Sequence, residues 1–168
     1  MTKEVEKTLY DGMNIFQRMS AITNELGFVQ KGLEVGFGNF KYKAVSEVDV
    51  LEAIKPLEKK YGVFSYPVAT EIEEQMQVTQ NTKNGEVTNF YLRIKRTYRF
   101  LCVDNPKDFV DIISYGDGVD SGDKATGKAQ TYADKYALMK AYKISTGDDP
   151  DKEASKEYNK TPNQPQLS

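Results

Sequence analysis

The run Val87-Thr88-Asn89-Phe90-Tyr91-Leu92-Arg93-Ile94-Lys95-Arg96-Thr97-Tyr98-Arg99-Phe100-Leu101-Cys102-Val103 decides the fold. Its even positions Phe90, Leu92, Ile94, Tyr98 and Phe100 are apolar, while Tyr91, Arg93, Lys95, Thr97 and Arg99 occupy the other face. That two-residue period belongs to a β-strand with one face against a core. Arg96 breaks the alternation and reads as the site of a bulge. Outward from this run, Val63–Val68, Glu71–Thr79 and Phe109–Tyr115 have the same strand character. The turns Asn81-Thr82-Lys83-Asn84-Gly85 and Asn105-Pro106 punctuate them, which predicts an antiparallel meander of three to four strands.

Helical spacing flanks the meander. Val5, Leu9, Met13, Phe16, Met19 and Ile22 recur every three or four residues, predicting an amphipathic helix over about the first 26 residues, closed by Gly27. Ser46 and Asp49 resemble a capping box for a second helix that Gly62 ends, with Pro56 kinking or dividing it. Between these helices, Val35-Gly36-Phe37-Gly38-Asn39-Phe40-Lys41-Tyr42-Lys43 is too broken by glycine for a central strand and reads as a loop or short hairpin. Gly116 to Asp123 reads as a glycine- and aspartate-rich connector to a third helix from about Lys124 to Tyr142. Ala125, Ala129, Ala133, Ala137 and Ala141 lie near one side of that helix, a ridge that allows close approach to a sheet. The fold class expected is α+β, a β-β-β-α core in one domain over 1–151 followed by a short polar tail over 152–168.

Composition narrows the chemistry. A chain of 168 residues can bury roughly two-thirds of its unfolded surface without disulfide or metal staples. There is no histidine, which removes Ser-His-Asp and Cys-His pairs, and the lone Cys102 reads as a small core hydrophobe. Neither a signal-peptide h-region nor a membrane-length apolar run is present, so the cytoplasm is the expected compartment.

The net charge of −2 hides an uneven distribution. From Tyr91 to Arg99 there are four basic and no acidic residues, and from Lys124 to Lys143 five lysines against Asp134. If the third helix packs across the sheet edge, Arg93, Lys95 and Arg99 join Lys124, Lys128 and Lys135 in one groove, with Tyr91 as a stacking platform; the aromatic and basic loop with Lys41 and Lys43 is a further candidate contact surface. Cations that track phosphates beside a ring that stacks on bases suit single-stranded nucleic acid. A solvated strand face is the plain alternative.

Two other constellations compete. Gly122-Asp123-Lys124-Ala125-Thr126-Gly127-Lys128-Ala129 almost matches a phosphate-binding P-loop, but Ala129 stands where a magnesium-holding hydroxyl is needed. Asp117, Asp120 and Asp123, with Asp148, Asp149 and Asp151, offer hard oxygen ligands for a magnesium-dependent nuclease. Turn and cap roles explain them as well, with Asp123 as the N-cap. No cofactor is expected. A third reading is a non-enzymatic adaptor that binds another protein.

Taken together, the stretch from Tyr115 to Leu138 resembles the signature of the ERF (essential recombination function) family of phage single-strand annealing proteins. Ile144-Ser145-Thr146-Gly147-Asp148-Asp149-Pro150-Asp151 is similar to its close, and Phe40-Lys41-Tyr42-Lys43-Ala44-Val45-Ser46 with Pro56 and Gly62 to its N-terminal half. The resemblance spans about Phe16 to Asp151. It implies ATP-independent annealing of complementary single-stranded DNA in a bacterial host cell, by a homo-oligomeric ring or filament. A host single-strand-binding protein is a further candidate partner. Lys124, Lys128 and Lys135 fall inside the signature.

Overall fold

The decisive run is the middle strand of a three-stranded antiparallel sheet. The computed structural model describes residues 7–27, 33–35 and 42–144, with backbone alone at 33–35 and 42–44. Strand β3 (Val63–Thr82) and strand β5 (Asn105–Asp120) flank β4 (Gly85–Cys102), in the order β3-β4-β5. Ile94 lies opposite Ile72 on one side and Gly116 on the other.

The two predicted runs before Thr79 are one strand. Val68 and Glu73 are extra residues at register shifts between Pro67 and Ala69 and between Ile72 and Glu74. Each bulge moves the alternation by one position, so the period appears broken although the strand continues. Arg96 marks no bulge, since it pairs in regular register with Thr70 and Ser114. It points into the helical layer, where its Nε and Nη2 donate to Asp134 at 2.8 and 3.1 Å.

Helix α1 (Ile15–Glu25) starts later than the apolar spacing predicts. Asn14 and Gln17 form a reciprocal capping box, each side chain accepting from the other's backbone N–H at 2.9 Å, which fixes the start there. Val5, in the predicted first turn, lies outside the described residues. Strands β1 (Leu33–Val35) and β2 (Tyr42–Ala44) pair antiparallel with Val35 opposite Tyr42, the short hairpin expected. Phe37, Phe40 and Lys41 between them lie outside the described residues, as does the side chain of Lys43.

Helix α2 (Glu47–Tyr61) has the Ser46–Asp49 capping box and ends at Gly62, whose φ of 64° is left-handed. It runs unbroken through Pro56. Ile15, Met19 and Ile22 of α1, Val50 and Ile54 of α2, and Tyr98, Phe100 and Cys102 of β4 share one core. Tyr142 joins it, meeting Phe100 edge-to-face at 5.4 Å. Glu58 is buried beneath, its Oε1 accepting from the Tyr142 hydroxyl at 2.7 Å and Ser65 Oγ at 2.8 Å. Burial pushes the Glu58 carboxyl up despite these bonds. Cys102 is a core hydrophobe, its thiol pushed up to about 11 by burial.

Helix α3 (Ala125–Ala141) packs flat on the same face of the sheet. Ala125, Ala129, Ala133 and Ala137 are buried there. The matching surface is β5, because the stretch expected to be a connector is strand through Asp120. A Cβ at Gly118 would stand 1.9 Å from the Ala125 carbonyl oxygen, and one at Gly116 2.0 Å from that of Ala129. These glycines are contact points for the helix backbone, not turn residues. The Ser114 hydroxyl donates to the Ala133 carbonyl in the same seam. All the helices therefore cover one face, leaving the odd-numbered β4 side chains on the other.

Candidate nucleic-acid interface

The basic residues singled out from sequence fall on two sides of the sheet. Tyr91, Arg93, Lys95 and Arg99 project from the open face, opposite α3. Three cations there are paired across strands: Arg93 donates to Asp117 at 2.7 and 2.8 Å, and Arg99 to Asp111 at 2.8 and 2.9 Å. Lys95 lies 3.6 Å from Glu71. Hydrogen bonds from the arginines hold Asp117 and Asp111 below the usual carboxylate range. Arg99 also lies over the Phe109 ring at 3.9 Å. Tyr91 sits between Met76 and Val119 in neighbouring strands, and partial burial followed by the Asp117 charge raises its hydroxyl pKa. The cations of this face are thus held in local pairs.

The second set lies along α3. Lys124 is exposed at its start and makes no side-chain ion pair or hydrogen bond among the described residues. One turn on, Lys128 Nζ donates to Asp120 Oδ1 at 2.7 Å and to the Val119 carbonyl at 3.1 Å. Asp120 also accepts from the backbone N–H groups of Gly122 at 2.9 Å and Lys124 at 3.3 Å. The N-cap of α3 is Lys124 and not Asp123 as expected, with no side-chain capping bond, and bonding of Asp120 to Lys128 and these two amides lowers its carboxyl to about 2.

Lys135 is partly buried and hydrogen-bonded. Its Nζ donates to the Val45 carbonyl at 3.2 Å, tying α3 to the end of the β1–β2 hairpin. It lies 4.9 Å from the Tyr132 ring centre and 5.1 Å from that of Tyr136. Burial lowers its pKa, opposed by the nearby Glu47. The two tyrosine rings stack at 6.1 Å. Sequence reasoning selected Tyr91 as the stacking residue and missed this pair; its four-residue spacing astride Lys135 is the signal that points to it.

One groove is therefore not formed, because α3 lies on the sheet's face and not across its edge. The P-loop likeness also loses its context. Its first residues follow an antiparallel strand, and Gly127 is already the third residue of α3. Among the aspartates, Asp117 and Asp120 are engaged as described, and Asp148, Asp149 and Asp151 lie outside the described residues. Among the described residues, no three acidic, cysteine or histidine side chains are placed to hold a metal ion. None of the described helices is long and apolar enough to cross a membrane.

No curated protein matches the chain. A family model described as the ERF superfamily matches residues 15–167, beginning with α1 and running past α3. The chain belongs to the ERF superfamily, and its general role is accordingly in recombination and strand annealing.

Proposed function

We propose that this protein binds single-stranded DNA along the outer face of α3 and anneals complementary strands without ATP during phage recombination. One observation carries the reading: Asp134, the only acid between Lys124 and Lys143, is turned inward onto Arg96. The outer face of α3 is thereby left cationic and aromatic, as a single strand's phosphates and bases require. Lys128 serves despite its pairing, since its side chain is half exposed and a phosphate can replace the carboxylate. Lys41 and Lys43 are further candidate phosphate contacts under this reading. Arg93, Lys95, Arg99 and Tyr91 take a secondary part on the open sheet face.

Self-association into a ring or filament extends the bound strand from one subunit to the next and multiplies weak contacts. The open sheet face supports it, since Phe64, Ile113 and Tyr115 there are 56%, 53% and 51% exposed. Such apolar surface marks protein contacts. Annealing makes and breaks no covalent bond, which suits a chain with no histidine. A host single-strand-binding protein is a further partner under this reading.

The test is to mix labelled complementary oligonucleotides with the protein in chelator and without nucleotide. Full-length duplex should form faster than without protein. Unchanged annealing by folded protein would overturn the proposal, and magnesium-dependent shortening of the strands would replace it with nuclease activity.

A further inference from the structure

Among the described residues, nothing requires Gly127 to be glycine. It lies in the first turn of α3, its backbone is not in the left-handed region, and an added Cβ would meet no described atom within 4 Å. A glycine in an exposed helix costs stability relative to alanine. Gly116 and Gly118, by contrast, are required by the helix that lies on them. Gly127 lines an open depression together with Asp123, Lys124, Lys128, Thr131 and Tyr132.

Tyr132 forms one wall of this depression and is 43% exposed. Stacking with Tyr136 and the ammonium of Lys135 fix its orientation. Lys128 and Tyr132 are four residues apart on one helix face, which separates their Cβ atoms by about 5–6 Å. That spacing suits one nucleotide, with its phosphate on the lysines and its base against the ring.

We infer that the depression over Gly127 is a base-stacking subsite: Lys124 and Lys128 hold the phosphate, Tyr132 takes the base on its ring face, and Gly127 leaves the room. Lys135 is a positioning residue for the ring. Stacking engages only the flat face of the base and leaves its pairing edge open, which is the geometry annealing demands. The inference rests on the single-strand reading above and assigns the glycine of the P-loop-like run to a base.

The experiment measures binding of fluorescein-labelled oligo(dT) and an abasic strand of equal length to wild type, Gly127→Ala, Tyr132→Ala and Tyr132→Phe. Gly127→Ala should raise Tm by roughly 2–4 °C, as removal of an exposed helical glycine predicts, yet weaken oligo(dT) binding about fivefold or more. Tyr132→Ala should weaken it roughly 5- to 150-fold, the range for loss of one stacked base, while Tyr132→Phe stays near wild type. Both weakened variants should lose the wild-type preference for oligo(dT) over the abasic strand. Wild-type affinity and preference in either variant would overturn the subsite and leave single-strand binding standing. Failure of the wild type to bind either strand at low salt would overturn the single-strand reading itself.

Discussion

Gly118→Ala should unseat α3 from the sheet. The new Cβ would stand 1.9 Å from the Ala125 carbonyl oxygen and 2.8 Å from its carbon. Both are backbone atoms that no rotamer change can move aside. The helix must lift, and its seam with Leu92 and Ile94 opens with it. Overpacking usually costs about 1–3 kcal/mol, and this rigid contact places the loss at roughly 3 kcal/mol or more. For a domain of this size, Tm should fall by roughly 6–12 °C. Gly116→Ala should act in the same way against Ala129. Thermal unfolding of Gly118→Ala beside Gly127→Ala checks the account, because the same substitution should carry opposite signs at the two sites. Equal Tm values would contradict the close approach of β5 and α3.

Arg18→Met should be the second large loss. Arg18 is only 2% exposed, and its guanidinium joins α1 to the α2–β3 junction and to the β4–β5 turn. It donates to Asp104 at 2.6 and 3.1 Å, to the Gly62 carbonyl at 3.0 Å and to the Met13 carbonyl at 2.9 Å. Its charge also lies 4.6 Å from the centre of the Tyr10 ring. Methionine fills much of the volume but leaves those carbonyls without their donor. Breaking a buried pair costs about 3–5 kcal/mol, and the half-exposed Asp104 regains water, placing this case near the lower figure.

The same pair gives a pH signature. Bonding to Arg18 holds Asp104 below its ordinary value of 3.8. A depressed carboxylate contributes stability above its unfolded pKa and loses it as pH falls through the folded value. Urea unfolding at pH 7 and pH 3 should therefore show a smaller acid loss in Arg18→Met than in wild type.

The elements set by local chemistry were legible in the sequence. Ser46, Asp49 and Gly62 delimit α2 through bonds within a few residues, and the alanine ridge of α3 announces a close neighbour. The features set by distant contacts were not. Gly116 and Gly118 carry the composition of a turn, and only α3 lying on them makes them strand residues. Arg96 looks like a break in a strand until Asp134, 38 residues later, is seen to face it. The lysine stripe on α3 was visible, whereas its separation from Arg93, Lys95 and Arg99 depends on which face of the sheet the helix covers. Alternation identifies two faces and does not say which one is covered. The Tyr132–Tyr136 pair was half legible: its spacing can be read in the sequence, whereas the bond from Lys135, near both rings, to Val45 spans 90 residues.

On the proposed reading the outer face of α3 holds the phosphates of a single strand, and the salt dependence of oligo(dT) affinity for wild type and for Lys124→Gln/Lys128→Gln reports those contacts. Each phosphate contact on a single strand contributes a slope of about −0.7 in log K against log salt. The double variant should therefore bind more weakly at low salt, with its slope shallower by about 1.4. An unchanged slope and affinity would contradict the assignment of α3 as the binding face.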